Sequence, residues 1–181
     1  MVNCALIARI SPRTARSSGF SLVELIIVIA ILGILAALVV PKFSNATEVA
    51  KCNSLKEDLR VLRTQIMVYR AQHGGVSPGY PGGVETASPT MEAFTNQMTL
   101  YSNAAGQTSA TPSTDYKLGP YLLKMPVNSI NGSSEITFIA NDATFPTEAD
   151  GTSGWFYQPA TGQVAANVIG SDPEGKVYFD Y

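Results

Sequence analysis

The chain has 181 residues, room for one domain of ordinary size or one domain with an appendage. Apolar residues make up 45%, too many for an intrinsically disordered chain, while charged residues are only 14%, against about 25% in a typical soluble domain. A net charge of −2 argues against a nucleic-acid footprint, two cysteines cannot build a disulfide framework, and histidine-based zinc or serine-triad chemistry would have to rely on the single histidine, His73.

The amino end sorts by charge. Residues 1–19 carry Arg9, Arg13 and Arg16 and no acidic residue. From Phe20 to Val40 the only ionisable residue is Glu24, and from Leu25 to Val40 every residue except Gly33 is aliphatic or alanine. As a helix, these 21 residues would span roughly 31 Å, close to the ~30 Å hydrocarbon core of a bilayer. The basic flank precedes the run, so residues 1–19 are expected in the cytoplasm and the rest of the chain on the far side. A cleavable secretory signal is the competing reading. It fits less well, because the run exceeds 7–15 residues and Pro41-Lys42-Phe43 follows it without a small-x-small site. A plain membrane anchor explains length and flank but not Glu24, because a carboxylate in such a stretch costs about 2–3 kcal/mol on insertion scales.

The string Gly19-Phe20-Ser21-Leu22-Val23-Glu24-Leu25 resembles the processing motif of type IV prepilins and of the pseudopilins of type II secretion. The resemblance covers about residues 16–70 and implies the following. A dedicated membrane peptidase cuts between Gly19 and Phe20 and N-methylates Phe20. Glu24 is the signature acidic residue that sets register during assembly, and Pro41 sits where the family kinks its helix. Independently of the family, a free amine at Phe20 would lie about 6 Å along the helix from Glu24. A buried carboxylate needs a partner or neutralises, and the amine of a neighbouring copy can supply one when helices stagger. A Glu24 that merely snorkels to the interface is the plainer reading.

No Gly or Pro interrupts Ala46 to His73, and Leu55, Leu59, Leu62, Ile66 and Tyr69 recur at steps of 4, 3, 4 and 3. That spacing is one helix face, so residues 41–73 are predicted to be an amphipathic continuation of the apolar half, residues 20–40. Gly74-Gly75 stops it. A two-helix coiled coil is the other use of the same pattern. Cys52 is expected to be a small buried residue, since Cys4 lies in the leader.

Residues 74–181 are then a globular head. Ser88-Pro89 reads as an N-cap and N1 proline opening a helix over 89–102, with Met91, Phe94, Met98 and Tyr101 on its apolar face. Residues 74–90 and 103–115 read as loops. Gly119-Pro120-Tyr121-Leu122-Leu123-Lys124-Met125-Pro126-Val127-Asn128 resembles the approach to the sheet in type II secretion major pseudopilins. Strands are predicted at 136–139, 155–157, 164–168 and 177–181, with a hairpin turn at 158–162. The expected fold is α+β: a long N-terminal helix whose second half packs on a small antiparallel sheet.

No G-x-S-x-G, HExxH, P-loop or CxxC is present, so no enzyme activity is expected. His73, at a helix end, is read as a favourable partner of the helix dipole. Asp142, Asp150, Asp172 and Glu174 are loop acids. The resemblance makes calcium the ligand to consider there, and solvated turn acids are the plainer reading. No cofactor is required.

The leading expectation is a structural subunit of a short type II secretion pseudopilus, anchored by a single pass in a bacterial inner membrane with its head in the periplasm. Its implied partners are further copies of itself, the prepilin peptidase, the inner-membrane assembly platform and the minor pseudopilins. A type IV pilin for adhesion, motility or DNA uptake is the near alternative. A membrane-tethered envelope binding protein is the alternative from a different class.

Overall fold

The computed structural model describes residues 19–181, and within them the side chains of residues 38–45 are outside the described set. The leader expectation for residues 1–18 therefore falls outside the described residues. So does the side chain of Pro41, the expected kink.

Helix α1 spans Leu22–Gln72, and Ser21 supplies the carbonyl that accepts the N–H of Leu25. The chain divides into two compact units, Met1–Lys42 and Phe43–Tyr181. In the first, every described residue from Gly19 to Ala37 is exposed, apolar side chains included; Phe20 is 79% exposed and Ile34 64%. Among the described residues no helix is long and apolar enough to cross a membrane, and the apolar run continues into residues whose side chains are not described.

The second unit is the head, and its core is organised by the stripe the spacing predicts. Leu55, Leu59, Leu62, Ile66 and Tyr69 are each at most 1% exposed, and Cys52, one turn earlier, is buried as a free thiol. These side chains meet Phe94 and Met98 of α2 (Met91–Thr99), and Trp155, Tyr157, Val164 and Ala166 of the sheet. The stripe is thus filled within one chain, which removes the need for a coiled-coil partner on that face.

Strands β1 (Tyr101–Ser102) and β2 (Thr108–Ser109) form a short antiparallel pair. Strands β3 (Ile136–Phe138), β4 (Trp155–Gln158) and β5 (Gln163–Ala166) form a sheet in the order β3-β4-β5. The β4–β5 hairpin is antiparallel, as expected, and closes through Gly162 N–H donating to Gln158 O; β3 joins β4 in parallel. All four β4 residues are buried because both faces are covered. Trp155 and Tyr157 enter the core, while Phe156 stacks edge-on to Phe179 at 6.3 Å.

Four expectations need correction. Helix α2 begins at Met91, with Thr90 as N-cap accepting from Ala93 N–H at 3.1 Å, so Ser88 and Pro89 lie outside it. Its end is set by β1, which takes Tyr101 and Ser102 into extended pairing with part of the predicted 103–115 loop. The last strand is not formed: Val177 makes one bridge to Ser171, and Tyr178–Asp180 is a 3₁₀ turn. The reason is side-chain direction. Tyr178 and Tyr181 both pack on the core while Phe179 faces Phe156, and a separation of three puts two strand residues on opposite faces.

His73 is the fourth. It is only 3% exposed, stacks on Tyr69 at 3.7 Å, and places Nδ1 2.8 Å from Tyr69 O and Nε2 3.1 Å from Ser102 Oγ. Burial pushes its pKa below the ordinary value of 6.5, so the ring is held neutral and does not serve as a cation at the helix end. A lowered folded-state pKa means that the unfolded chain takes up the proton first. The stability His73 contributes is therefore present above about pH 6.5 and drains away as the pH falls below it. The urea midpoint of the head is expected to drop between pH 7.5 and 5.5, and His73→Gln is expected to flatten that limb. An equal drop in the variant would assign the effect elsewhere.

Candidate functional site

The processing string lies at the amino end of the described residues. Gly19 is exposed, and among the described residues nothing lies within 4 Å of where its Cβ would stand. Phe20 precedes α1 by two residues, and Glu24 falls in the helix's first turn, where the dipole favours an anion. Ser21 immediately before the helix and Glu24 three residues on have the S-x-x-E spacing of a capping box, a signal that the reading of Glu24 as an assembly residue passed over. Glu24 forms no ion pair among the described residues. Its neighbours Phe20, Leu22, Val23 and Leu25 are all more than half exposed, so this turn offers an apolar surface with one carboxylate in it.

The four loop acids are not gathered into one site. Among the described residues no three of His, Cys, Asp and Glu come together to hold a metal ion. Asp142 and Glu174 are exposed. Asp150 uses its Oδ1 on its own turn, accepting from Thr152 N–H, Thr152 Oγ1 and Asn167 Nδ2, and these bonds hold its pKa below the usual carboxylate value. Asp172 is buried. Its Oδ2 accepts from the Tyr181 hydroxyl at 2.6 Å, with Lys56 Nζ at 3.8 Å, and its Oδ1 accepts the N–H groups of Glu174 and Lys176. The Tyr181 bond is the main reason its pKa is lowered. Both carboxylates close turns and tie the C-terminal segment down.

The residue that sequence reasoning missed is Asn167. It is fully buried just past β5; its Oδ1 accepts from Asp150 and Gly151 N–H, and its Nδ2 donates to Asp150 Oδ1 and Ser153 Oγ. Asn128, also fully buried, donates to Gly154 O and accepts from Ile130 N–H. Nothing in the local pattern distinguishes these asparagines from turn residues, because apart from the Asn128 contact to Ile130 these partners are 14 or more positions away.

Residues 14–40 match the family described as the prokaryotic N-terminal methylation motif. Over 98 residues, 51% of this chain and 84% of the relative, the chain is 32% identical to the type IV narrow pilus major component PilA5 of Thermus thermophilus. It is 40% identical to the type II secretion system core protein G of Pseudomonas aeruginosa over 30% of this chain and 39% of that protein. It is 31% identical to the protein of the same name from Aeromonas hydrophila over 61% of this chain and 66% of that one. No solved structure matches. A prepilin motif at the amino end, a long helix with an exposed apolar half, and relatives named as pilins and as protein G have one common meaning: the chain belongs to the type IV pilin-like family.

Proposed function

We propose that this protein is a filament subunit held in a bacterial inner membrane before assembly, and that its filament is a type II secretion pseudopilus. The observation that carries the reading is the contrast between the two units. The head satisfies its own core, whereas the helix from Leu22 to Ala37 buries nothing. An apolar surface of that extent needs lipid before assembly and other copies after it. The Gly19-Phe20 string supplies the step between those states, since removal of the basic leader creates a free amine beside Glu24. Subunit addition then moves the head outward, and the growing filament acts mechanically on exported proteins. A type IV pilus is the second reading, favoured by alignment over most of the Thermus pilus component. Against it stands the Gly119 to Asn128 stretch, which resembles the approach to the sheet in type II secretion major pseudopilins.

The test is the amino terminus of the mature protein. Mass spectrometry is expected to find Phe20, N-methylated, as the first residue in membrane and sheared-filament fractions. An intact Met1 in assembled material, or cleavage beyond Val40, would overturn the reading.

A further inference from the structure

Beside α1 the head carries a groove of about 560 Å³, within the ~300–1,000 Å³ range of ligand-sized pockets. Ile66, Met67, Phe145 and Phe179 make its apolar walls, and Arg63 and Arg70 supply two guanidiniums. The arginines are seven residues apart on one face of α1, about 10 Å along its axis. Arg63 is half-buried and gives its Nε and Nη2 to Val164 O and its Nη2 also to an oxygen of Tyr181, the last residue of the sequence; Arg70 gives Nε to Gly75 O and Nη1 to Thr161 O. Neither meets an Asp or Glu side chain among the described residues. The fold makes room for this cation: Gly162, at φ +75° in the β4–β5 turn, has no Cβ, and one there would stand 2.8 Å from Arg70 Nη1.

Arg70, whose guanidinium has only the carbonyls of Gly75 and Thr161 as partners, stands beside an apolar floor and calls for an occupant that joins an acid to an apolar side chain. The head presents one such pair outside α1. In the turn closed by Ala87 N–H donating to Val84 O, Val84 is 53% exposed, and its neighbour Glu85 is exposed and forms no ion pair among the described residues. The other large exposed apolar residues of the loops, Leu123, Val127, Ile169 and Val177, have no acidic neighbour in sequence. The groove and this turn share no residue. We infer that the groove is the socket for the Val84–Ala87 turn of a second copy, with Glu85 on Arg70 and Val84 against Met67 and the phenylalanines. Such a contact joins unlike surfaces, so it propagates from copy to copy instead of closing a dimer. The inference rests on the filament reading.

The test uses full-length chains in membranes. Two differently tagged copies are co-expressed, one with Met67→Cys and one with Glu85→Cys, and treated with a short bismaleimide; the buried Cys52 is common to every arm. The expected result is a cross-linked heterodimer at least about tenfold above a Met67→Cys with Lys124→Cys control pair. Sheared-filament yield is the second readout, taken on chains with native Met67 and Glu85. Arg70→Glu is expected to lower it about fivefold or more, Glu85→Arg likewise, and the two together to restore it. Arg70→Gln replaces Arg70→Glu should the latter lower protein level. Cross-linking no higher than the control while wild-type filaments form overturns the contact and leaves the filament reading intact. Cross-linking without any sheared filament overturns the filament reading alone. Yield unaffected by either single charge change, or unrestored by the pair, overturns the ionic pairing and with it the inference.

Discussion

Glu24→Leu is expected to leave membrane insertion, cleavage after Gly19 and accumulation unchanged while reducing sheared filaments to a few per cent of wild type or less. Leucine keeps the volume and helix propensity of the site and removes the only charge between Phe20 and Ala37. In the membrane this removes a cost, so the precursor should be no less abundant. In the proposed filament it removes the carboxylate proposed to meet the Phe20 amine of an adjacent copy. That amine is then left unpaired among apolar helices, which costs far more than an exposed ion pair contributes. Glu24→Gln retains hydrogen bonding and is expected to be milder. Membrane fractionation, amino-terminal analysis and filament yield are measured on the same cells. Normal filament yield for Glu24→Leu would show that the carboxylate only snorkels, and the pairing mechanism would have to be abandoned.

Trp155→Ala is expected to unfold a large fraction of heads at 37 °C. Trp155 is fully buried in β4, packs among Leu55, Leu59 and the other stripe residues of the core cluster, and donates Nε1–H to Pro126 O at 3.2 Å. Truncating a buried tryptophan costs about 3–5 kcal/mol, a large part of the ~5–15 kcal/mol that holds a domain together. The released Pro126 carbonyl adds to the loss by removing one of the ties between the 119–128 segment and β4. Urea unfolding of a head beginning near Lys42 measures this directly. A midpoint within experimental scatter of wild type would mean that the stripe of α1 is held chiefly by α2 and not by the sheet. Trp155→Phe keeps most of the packing and is expected to lose less than half as much.

What was legible in the sequence was whatever depends on neighbours a few residues apart. The processing string, the apolar run, the 4-3-4-3 stripe of α1 and the Trp155–Ala166 hairpin all depend on short periods or short spacings, and each is found where those periods place it. Residues 177–181 show the limit. Their alternation suits a strand, but Asp172 holds Tyr181 and the core takes both Tyr178 and Tyr181, so the segment coils into a 3₁₀ turn. The start of α2 moved for a similar reason, since Thr90 has the helix's first free N–H groups within reach and Ser88 does not.

The sequence by itself determined that the chain has an apolar helical half with one acid, a prepilin-type motif at its start, and a head built on the second half of the same helix. Hydrophobic period and motif spacing are properties of the chain, and they survive any arrangement of the loops. Only the tertiary structure decided that β3 joins in parallel, that His73 is neutral and buried, and that Asp150 and Asp172 are turn fasteners. It also decided that Arg70 opens onto an apolar groove with no Asp or Glu side chain paired to it among the described residues. Each of these depends on groups from separate turns or elements being brought within hydrogen-bonding or packing distance, where desolvation and hydrogen bonding set charge state and direction, and hydrophobic period alone does not encode that meeting.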